Sequence, residues 1–303
     1  MVYGRGEPAA GEREGTAGNP RSGELPPPFS WERFDGFIFD LDGTVYLGET
    51  LVPGADRVVA ELRRRGRRLV FLSNKPLEPG ASYAAKLTRL GIPTRPEEVI
   101  TSSQVLTREL TARYPAATVY AIGEAPFLAE LREAGVRLVD DPAALGWRVD
   151  VVVVAFDRTC TWTKLNHAHQ ALRRGARLVA TNPDPTCPVD GGDVPDAGAI
   201  LAALQACSGR VPEWVAGKPS TLMVQAALAR LGTSVERTAL VGDRLETDIA
   251  MARRAGLAAV LVLSGVTDRL AAAQAPAELR PDAVLQSVAD LLPEDAGRNL
   301  MRT

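Results

Sequence analysis

Apolar residues fall into two alternating patterns along this chain. Short runs such as Phe37-Ile38-Phe39, Leu69-Val70-Phe71-Leu72 and Ala239-Leu240-Val241 are unbroken by polar positions, which marks strands buried on both faces. Between them lie stretches with helical spacing. The one beginning near Gly54 places Ala55, Val58, Val59 and Leu62 on one side and stops at Gly66. The full reading is strand 37–40, helix 54–66, strand 68–72, helix 80–90, strand 99–102 and helix 103–113. It continues with strand 118–122, helix 125–134, strands 136–139 and 149–156, helix 162–174 and strand 176–180. An irregular Asp/Pro/Gly-rich run from Asn182 to Asp196 leads into helix 197–207. Helix 219–231, strand 238–242, helix 246–255, strand 258–263 and a short β-α tail ending near Leu292 close the chain.

Strands alternating with helices predict parallel sheets joined by right-handed crossovers. The simplest architecture is an α/β fold with a doubly wound, Rossmann-like core, residues 30–104 plus 212–295, and a second α/β domain, residues 105–211, inserted in it. Residues 1–29, rich in Gly, Pro, Glu and Arg without an apolar run, read as a disordered tail, and 296–303 as a short C-terminal one.

Composition narrows the function classes. The 303 residues are enough for two domains, and 46% hydrophobic with 24% charged residues is ordinary for a soluble protein. A net charge of -2 gives no reason to expect nucleic acid or an anionic membrane as partner. Neither a signal peptide nor a membrane span is read at the start. Three cysteines without a Cys-x-x-Cys spacing point to reduced thiols in a cytoplasm. His167 and His169 stand two apart, off a common helical face, so a histidine zinc site or a Ser-His-Asp triad is not easily assembled. Carboxylates must carry any catalysis.

Phe37-Ile38-Phe39-Asp40-Leu41-Asp42-Gly43-Thr44 supplies them where a strand ends. Asp40 would sit rigidly at the C-terminal edge of a parallel sheet, where open α/β sheets bind ligands, poised to attack phosphorus and form an aspartyl-phosphate. Asp42, already out of the strand, can bend back as general acid to the leaving oxygen and then as base for water. Two carboxylates this close call for a divalent cation, which predicts Mg²⁺. Three further strand ends or helix starts offer complementary groups. Ser73-Asn74 could hold phosphoryl oxygens, or simply cap the next helix. Lys218, framed by Gly217 and Pro219, could offset charge developing at the phosphate. Asp243 and Asp248, after Gly242, could supply oxygen ligands to a hard cation, or be acids that favour a helix N-terminus.

In this order, Asp40-Leu-Asp-Gly-Thr, Ser73-Asn74, Gly217-Lys218-Pro219 and Gly242-Asp243-Arg-Leu-Glu-Thr-Asp248 resemble the four motifs of haloacid dehalogenase-like (HAD) phosphatases. The likeness runs from about Phe34 to Leu292. The segments Ile122-Gly123-Glu124, Ala180-Thr181-Asn182-Pro183-Asp184 and Ala197-Gly198-Ala199-Ile200 resemble the subfamily of NagD, 4-nitrophenylphosphatases, phosphoglycolate phosphatases and pyridoxal phosphatases. The resemblance implies a Mg²⁺-dependent phosphomonoesterase with Asp40 as nucleophile and ligand. Asp42 would be acid/base and a ligand through its carbonyl, Asp243 the third protein ligand, and Asp248 a support. Ser73, Asn74 and Lys218 would bind phosphate, and the inserted domain would be a cap, through which relatives often form homodimers. Asp42 favours phosphate esters over halides, because a dehalogenase has no leaving oxygen to protonate. A phosphotransferase or mutase would use the same residues, and a non-catalytic phospho-ligand binder the same fold.

Two departures bear on specificity. Where the second motif commonly reads Thr/Ser-Asn-Asn, this chain has Ser73-Asn74-Lys75. Cys187-Pro188 stands where some relatives have a His-Pro that contacts the leaving group. Asp184, Asp190, Asp193 and Asp196 crowd the run before helix 197–207, either as a solvated loop or as acceptors that suit hydroxyls or an amine and disfavour an anionic leaving group. A sugar or polyol phosphate is the substrate class this predicts.

Overall fold

A computed structural model describes residues 29–75, 77–189 and 192–292. The expected tails, apart from Phe29, lie outside these residues; Phe29 itself stacks on Phe34 with ring centroids 5.3 Å apart. The first part of the chain forms β1 (Gly36–Asp40), a small hairpin of β2 (Tyr46–Leu47) and β3 (Thr50–Leu51), α1 (Ala55–Arg64), β4 (Arg68–Ser73), α2 (Gly80–Arg89), β5 (Val99–Thr101) and α3 (Ser102–Arg113). The middle forms β6 (Thr118–Ile122), α4 (Ala125–Glu133), β7 (Arg137–Leu138), β8 (Val151–Val154), α5 (Trp162–Arg173), β9 (Arg177–Ala180), β10 (Thr186–Val189), β11 (Gly192–Pro195), α6 (Ala197–Ser208) and β12 (Trp214–Val215). The last part forms α7 (Thr221–Leu231), β13 (Thr238–Gly242), α8 (Ala250–Ala255), β14 (Ala258–Val262), α9 (Arg269–Ala273) and β15 (Ala283–Leu285).

Six strands make one parallel sheet in the order β15-β14-β13-β1-β4-β5. The chain leaves β1 toward β4 and β5 on one side and returns on the other through β13, so β1 lies at the point where the strand order reverses. That is where the loops after neighbouring strands diverge and open a crevice. Side-chain alternation covers both faces. Phe37, Phe39 and Phe71 pack with Val58, Leu62 and Leu87 of α1 and α2, whereas Ile38, Val70 and Leu72 pack with Leu106, Met223 and Met251 of the helices opposite. The second sheet, β12-β9-β8-β6-β7, is also parallel. Its Val119, Val151, Val153 and Val179 belong to the same apolar cluster as Val105 and Leu110 of α3, which runs without interruption from one sheet to the other.

Local departures from the sequence reading have local causes. The run 182–196, expected to be irregular, contains the antiparallel hairpin β10–β11. Pro188 and Pro195 obscure it, because proline cannot donate to a ladder and survives only in edge positions such as an isolated two-stranded ribbon offers. Trp214–Val215 adds an edge strand to the second sheet. The helix expected from residue 246 begins instead as a π-helical turn, Leu245–Ile249, before α8. This wider turn, a geometry often found at functional sites, carries Asp248.

Candidate active site

Asp40 ends β1 and is buried, 6% exposed. Immediately beyond it the chain folds back. Leu41 O accepts from Val45 N at 2.9 Å and from Tyr46 N at 3.1 Å, and Gly43, at φ 92°, takes the left-handed conformation this reversal requires. Ser264 Oγ donates to Gly43 O at 2.7 Å, tying this turn to the loop after β14.

Asp40 Oδ1 accepts a hydrogen bond from Lys218 Nζ, which also donates to Asp248 Oδ1 at 2.8 Å. Lys218 is held there by its backbone. Its N–H donates to Asn74 Oδ1 at 2.8 Å, and Asn74 Nδ2 donates to Lys218 O at 3.2 Å and to Asp184 Oδ2 at 2.9 Å. Asn74, expected as a phosphate donor, thus spends its amide bracing the Lys218 turn against the Asp184 loop. Ser73, buried beside it at the end of β4, lines the same cavity.

Asp243 follows β13 and is fixed by Val266 N, which donates to its Oδ2 at 2.7 Å, while Thr267 N donates to its main-chain oxygen at 3.1 Å. Asp40, Asp243 and Asp248 each bring one carboxylate oxygen within 4.8 Å of the others, and all three are buried. Asp248 lies in this cluster with Oδ1 accepting from Lys218 at 2.8 Å and Oδ2 accepting from Arg244 N and Thr247 Oγ1, both at 3.3 Å. The Asp42 side chain is not in it: Oδ2 accepts from Lys75 Nζ at 2.6 Å, at the edge of the cavity.

The charges in this cluster oppose one another. Burial drives Asp40 above the ordinary carboxylate range, and Asp248 and Asp243 add to this while Lys218 counters it. Burial and the neighbouring Asp248 raise Asp243 to about 6, with the Val266 N–H opposing. Burial alone would lower Lys218, but Asp248 and Asp40 more than offset it and keep the ammonium charged. Three carboxylates face one ammonium, and Asp40 Oδ2, buried, has no hydrogen-bond partner among the described residues. An orphaned buried carboxylate oxygen in an all-oxygen donor set fits a hard divalent cation.

Glycines make the cluster possible. A Cβ on Gly265 would stand 2.6 Å from Asp243 Cγ, and one on Gly242 would stand 2.5 Å from Asp248 Cγ. Gly265→Ala is therefore expected to push Asp243 out of place and to lower kcat/KM about 100-fold, as misplacements near 1 Å do; wild-type kinetics in that variant would show that Asp243 has room to spare.

The cluster opens into a cavity of about 270 Å³. Cys187, Asp184 and Asp196 also line it. Burial raises both carboxyls, Asp196 to about 6, although Asp196 also caps α6 by accepting from Ala197 N at 2.5 Å. Asp193 is exposed on β11 and does not reach the cavity, and Asp190 lies outside the described residues. Sequence reasoning missed Tyr46, Arg244, Thr247 and Gly265-Val266, all of which line it. The position of Ser264-Gly265-Val266, just past the strand expected over 258–263, was the available signal.

A buried carboxylate at a sheet's reversal point, one oxygen held by lysine and the other without a partner among the described residues, beside two further carboxylates, fits a hydrolase with a carboxylate nucleophile next to a cation site. The chain belongs to the haloacid dehalogenase-like hydrolases: the family model of that name matches residues 37–137, and a second, HAD-hydrolase-like, matches 215–291. Within that family it is a phosphoric monoester hydrolase. It is 37% identical over 257 residues to the sugar-phosphatase AraL of Bacillus subtilis, an alignment that spans 84% of this chain and 91% of the relative. The solved 4-nitrophenylphosphatase of Thermotoga maritima superposes with a TM-score of 0.80 at 34% identity, covering 86% of this chain and 97% of that one. A glycerol phosphate phosphatase of Mycobacterium tuberculosis, solved in complex with magnesium, gives 0.79 at 34% identity, covering 86% and 77%. Among the described residues no helix is long and apolar enough to cross a membrane.

Proposed function

We propose that this chain is a cytoplasmic, Mg²⁺-dependent phosphatase of sugar or polyol phosphates that works through a phospho-Asp40 intermediate. The observation that carries this reading is the pair of unequal oxygens on Asp40, which lines the cavity: Oδ1 is bonded to Lys218, and Oδ2 is buried without a partner among the described residues. Asp40 attacks phosphorus and the ester oxygen departs with the proton of Asp42. Asp42 then takes a proton from water, whose oxygen attacks phosphorus as the P–O bond to Asp40 breaks, releasing phosphate and the free Asp40 carboxylate. Lys218 and Ser73 hold the phosphoryl oxygens, and Asn74 keeps Lys218 in register. Asp40, Asp243, Asp248 and the Asp42 carbonyl would hold Mg²⁺. When bound, that ion offsets the negative charge shared by phosphate and carboxylates. Residues 30–104 plus 212–295 form the catalytic core in this reading, and 105–211 a cap that closes over the site. Their separate sheets support the division.

Substrate class follows from the acids that line the cavity. Asp184 and Asp196 add negative charge to the wall of the same cavity, which suits a neutral, hydroxyl-bearing leaving group and repels an anionic one. The names of the relatives, sugar-phosphatase and glycerol phosphate phosphatase, point the same way. Asp196→Asn, which keeps a side chain able to cap α6, tests it on a panel of phosphate esters. Discrimination against phosphoglycolate relative to glycerol phosphate is expected to fall by about tenfold. An unchanged ranking of the panel would remove Asp196 from specificity.

A further inference from the structure

Lys75 departs from the amide common at its position, and its placement gives that departure a purpose. Its backbone is anchored: its N–H donates to Ser73 Oγ at 3.2 Å, and Tyr83 Oη donates to its carbonyl at 3.0 Å. The side chain then reaches across to the turn after β1, where Nζ donates to Asp42 Oδ2 at 2.6 Å. Both heads stay partly open, with 26% of the Lys75 and 36% of the Asp42 side chain exposed. Both line the cavity, as do Cys187 and Asp196.

Asp42 has to present a carboxyl oxygen to the departing ester oxygen. Held through Oδ2, it offers Oδ1 in a restricted set of directions. An ammonium carries three rotatable N–H donors, and Asp42 takes one. The others belong to a side chain that lines the same cavity as Asp42.

We propose that Lys75 is a positioning and specificity residue: it fixes Asp42 through Oδ2 and donates a second hydrogen bond to an oxygen on the carbon next to the ester carbon. The inference rests on the phosphatase reading above and narrows it. The preferred substrates are phosphate monoesters whose neighbouring carbon carries a hydroxyl or carbonyl oxygen, as in polyols and sugars, over simple alkyl phosphates. The physical basis is asymmetric: a site built to bond a substrate hydroxyl rejects the analogue lacking it, because one N–H of the ammonium then loses its acceptor while the bond to Asp42 remains. An uncharged amide at this position would discriminate less.

Glycerol 3-phosphate and propyl phosphate test this, since they share chain length and an alkoxide leaving group and differ in the hydroxyls. Steady-state phosphate release with Mg²⁺ is expected to favour glycerol 3-phosphate in kcat/KM by about tenfold or more in the wild type. In Lys75→Met that preference collapses by at least about fivefold, with KM for glycerol 3-phosphate rising, and Lys75→Arg restores part of it. Should Lys75→Met fail to fold, Lys75→Gln carries the same ratio test. An unaltered ratio, or equal losses on both esters, overturns the specificity role. Absence of phosphate release from either ester by the wild type would count instead against the phosphatase reading, and against this inference with it.

Discussion

Asp40→Asn is expected to lower kcat on the order of 10⁴-fold or more, as loss of a covalent nucleophile does in enzymes whose catalytic groups act as a unit. The substitution preserves shape, so the fold should be undisturbed. Of the two contacts made by Lys218, the one to Asp248 at 2.8 Å survives, and a buried cluster with three carboxylates to one ammonium loses one negative charge. The melting temperature without added metal should hold or rise. Two measurements check the prediction together: phosphate release under saturating Mg²⁺, and trapping of the acyl phosphate, which should form in the wild type and be absent in the variant. A variant that retained a tenth of wild-type turnover would remove Asp40 as nucleophile, and the proposed mechanism with it.

Much of this site is legible in the sequence because each component follows a strand. An apolar run that stops at an acid or a Gly-Asp pair places that residue at the sheet edge, and the edge at the β1 reversal point is where Asp40, Ser73 and Asp243 meet. What the pattern cannot carry is side-chain direction. Asn74 reads as a phosphate donor because its neighbour ends β4, yet its amide turns to Asp184 and the Lys218 carbonyl, residues more than a hundred positions away. Lys75 gives no periodic signal of the partner it finds in Asp42. Gly265, just past the strand read over 258–263, carries no signal of its own, because the reason for its lack of a side chain is the Asp243 carboxylate beside it, a contact between separate strand ends. The β10–β11 hairpin escapes for the opposite reason: its prolines argue locally against strand, and nothing in the run itself shows that the hairpin stands apart from the larger sheets.

The acidic cluster also fixes how stability should respond to metal and pH. In chelator, Asp243 is held at about 6 when folded, against an ordinary 3.8. A carboxyl raised on folding binds its proton more tightly in the native state. Its contribution to stability is full below about pH 4 and is lost as pH rises through about 6. Asp243→Asn mimics the protonated form and should escape this loss. Urea unfolding in chelator should then find the variant equal to the wild type near pH 4 and more stable at pH 8. With about 1.4 kcal/mol for each tenfold change in proton affinity, the gap is on the order of 3 kcal/mol. Mg²⁺ reverses the order: a ligand held only by the folded wild type stabilises it, increasingly over the same pH interval, and does little for the variant. Activity should vanish with chelation and return with Mg²⁺ in the wild type alone. If the two proteins run parallel from pH 4 to 8, with and without Mg²⁺, then Asp243 is not a carboxylate waiting for a cation, and the oxygen cluster has another purpose.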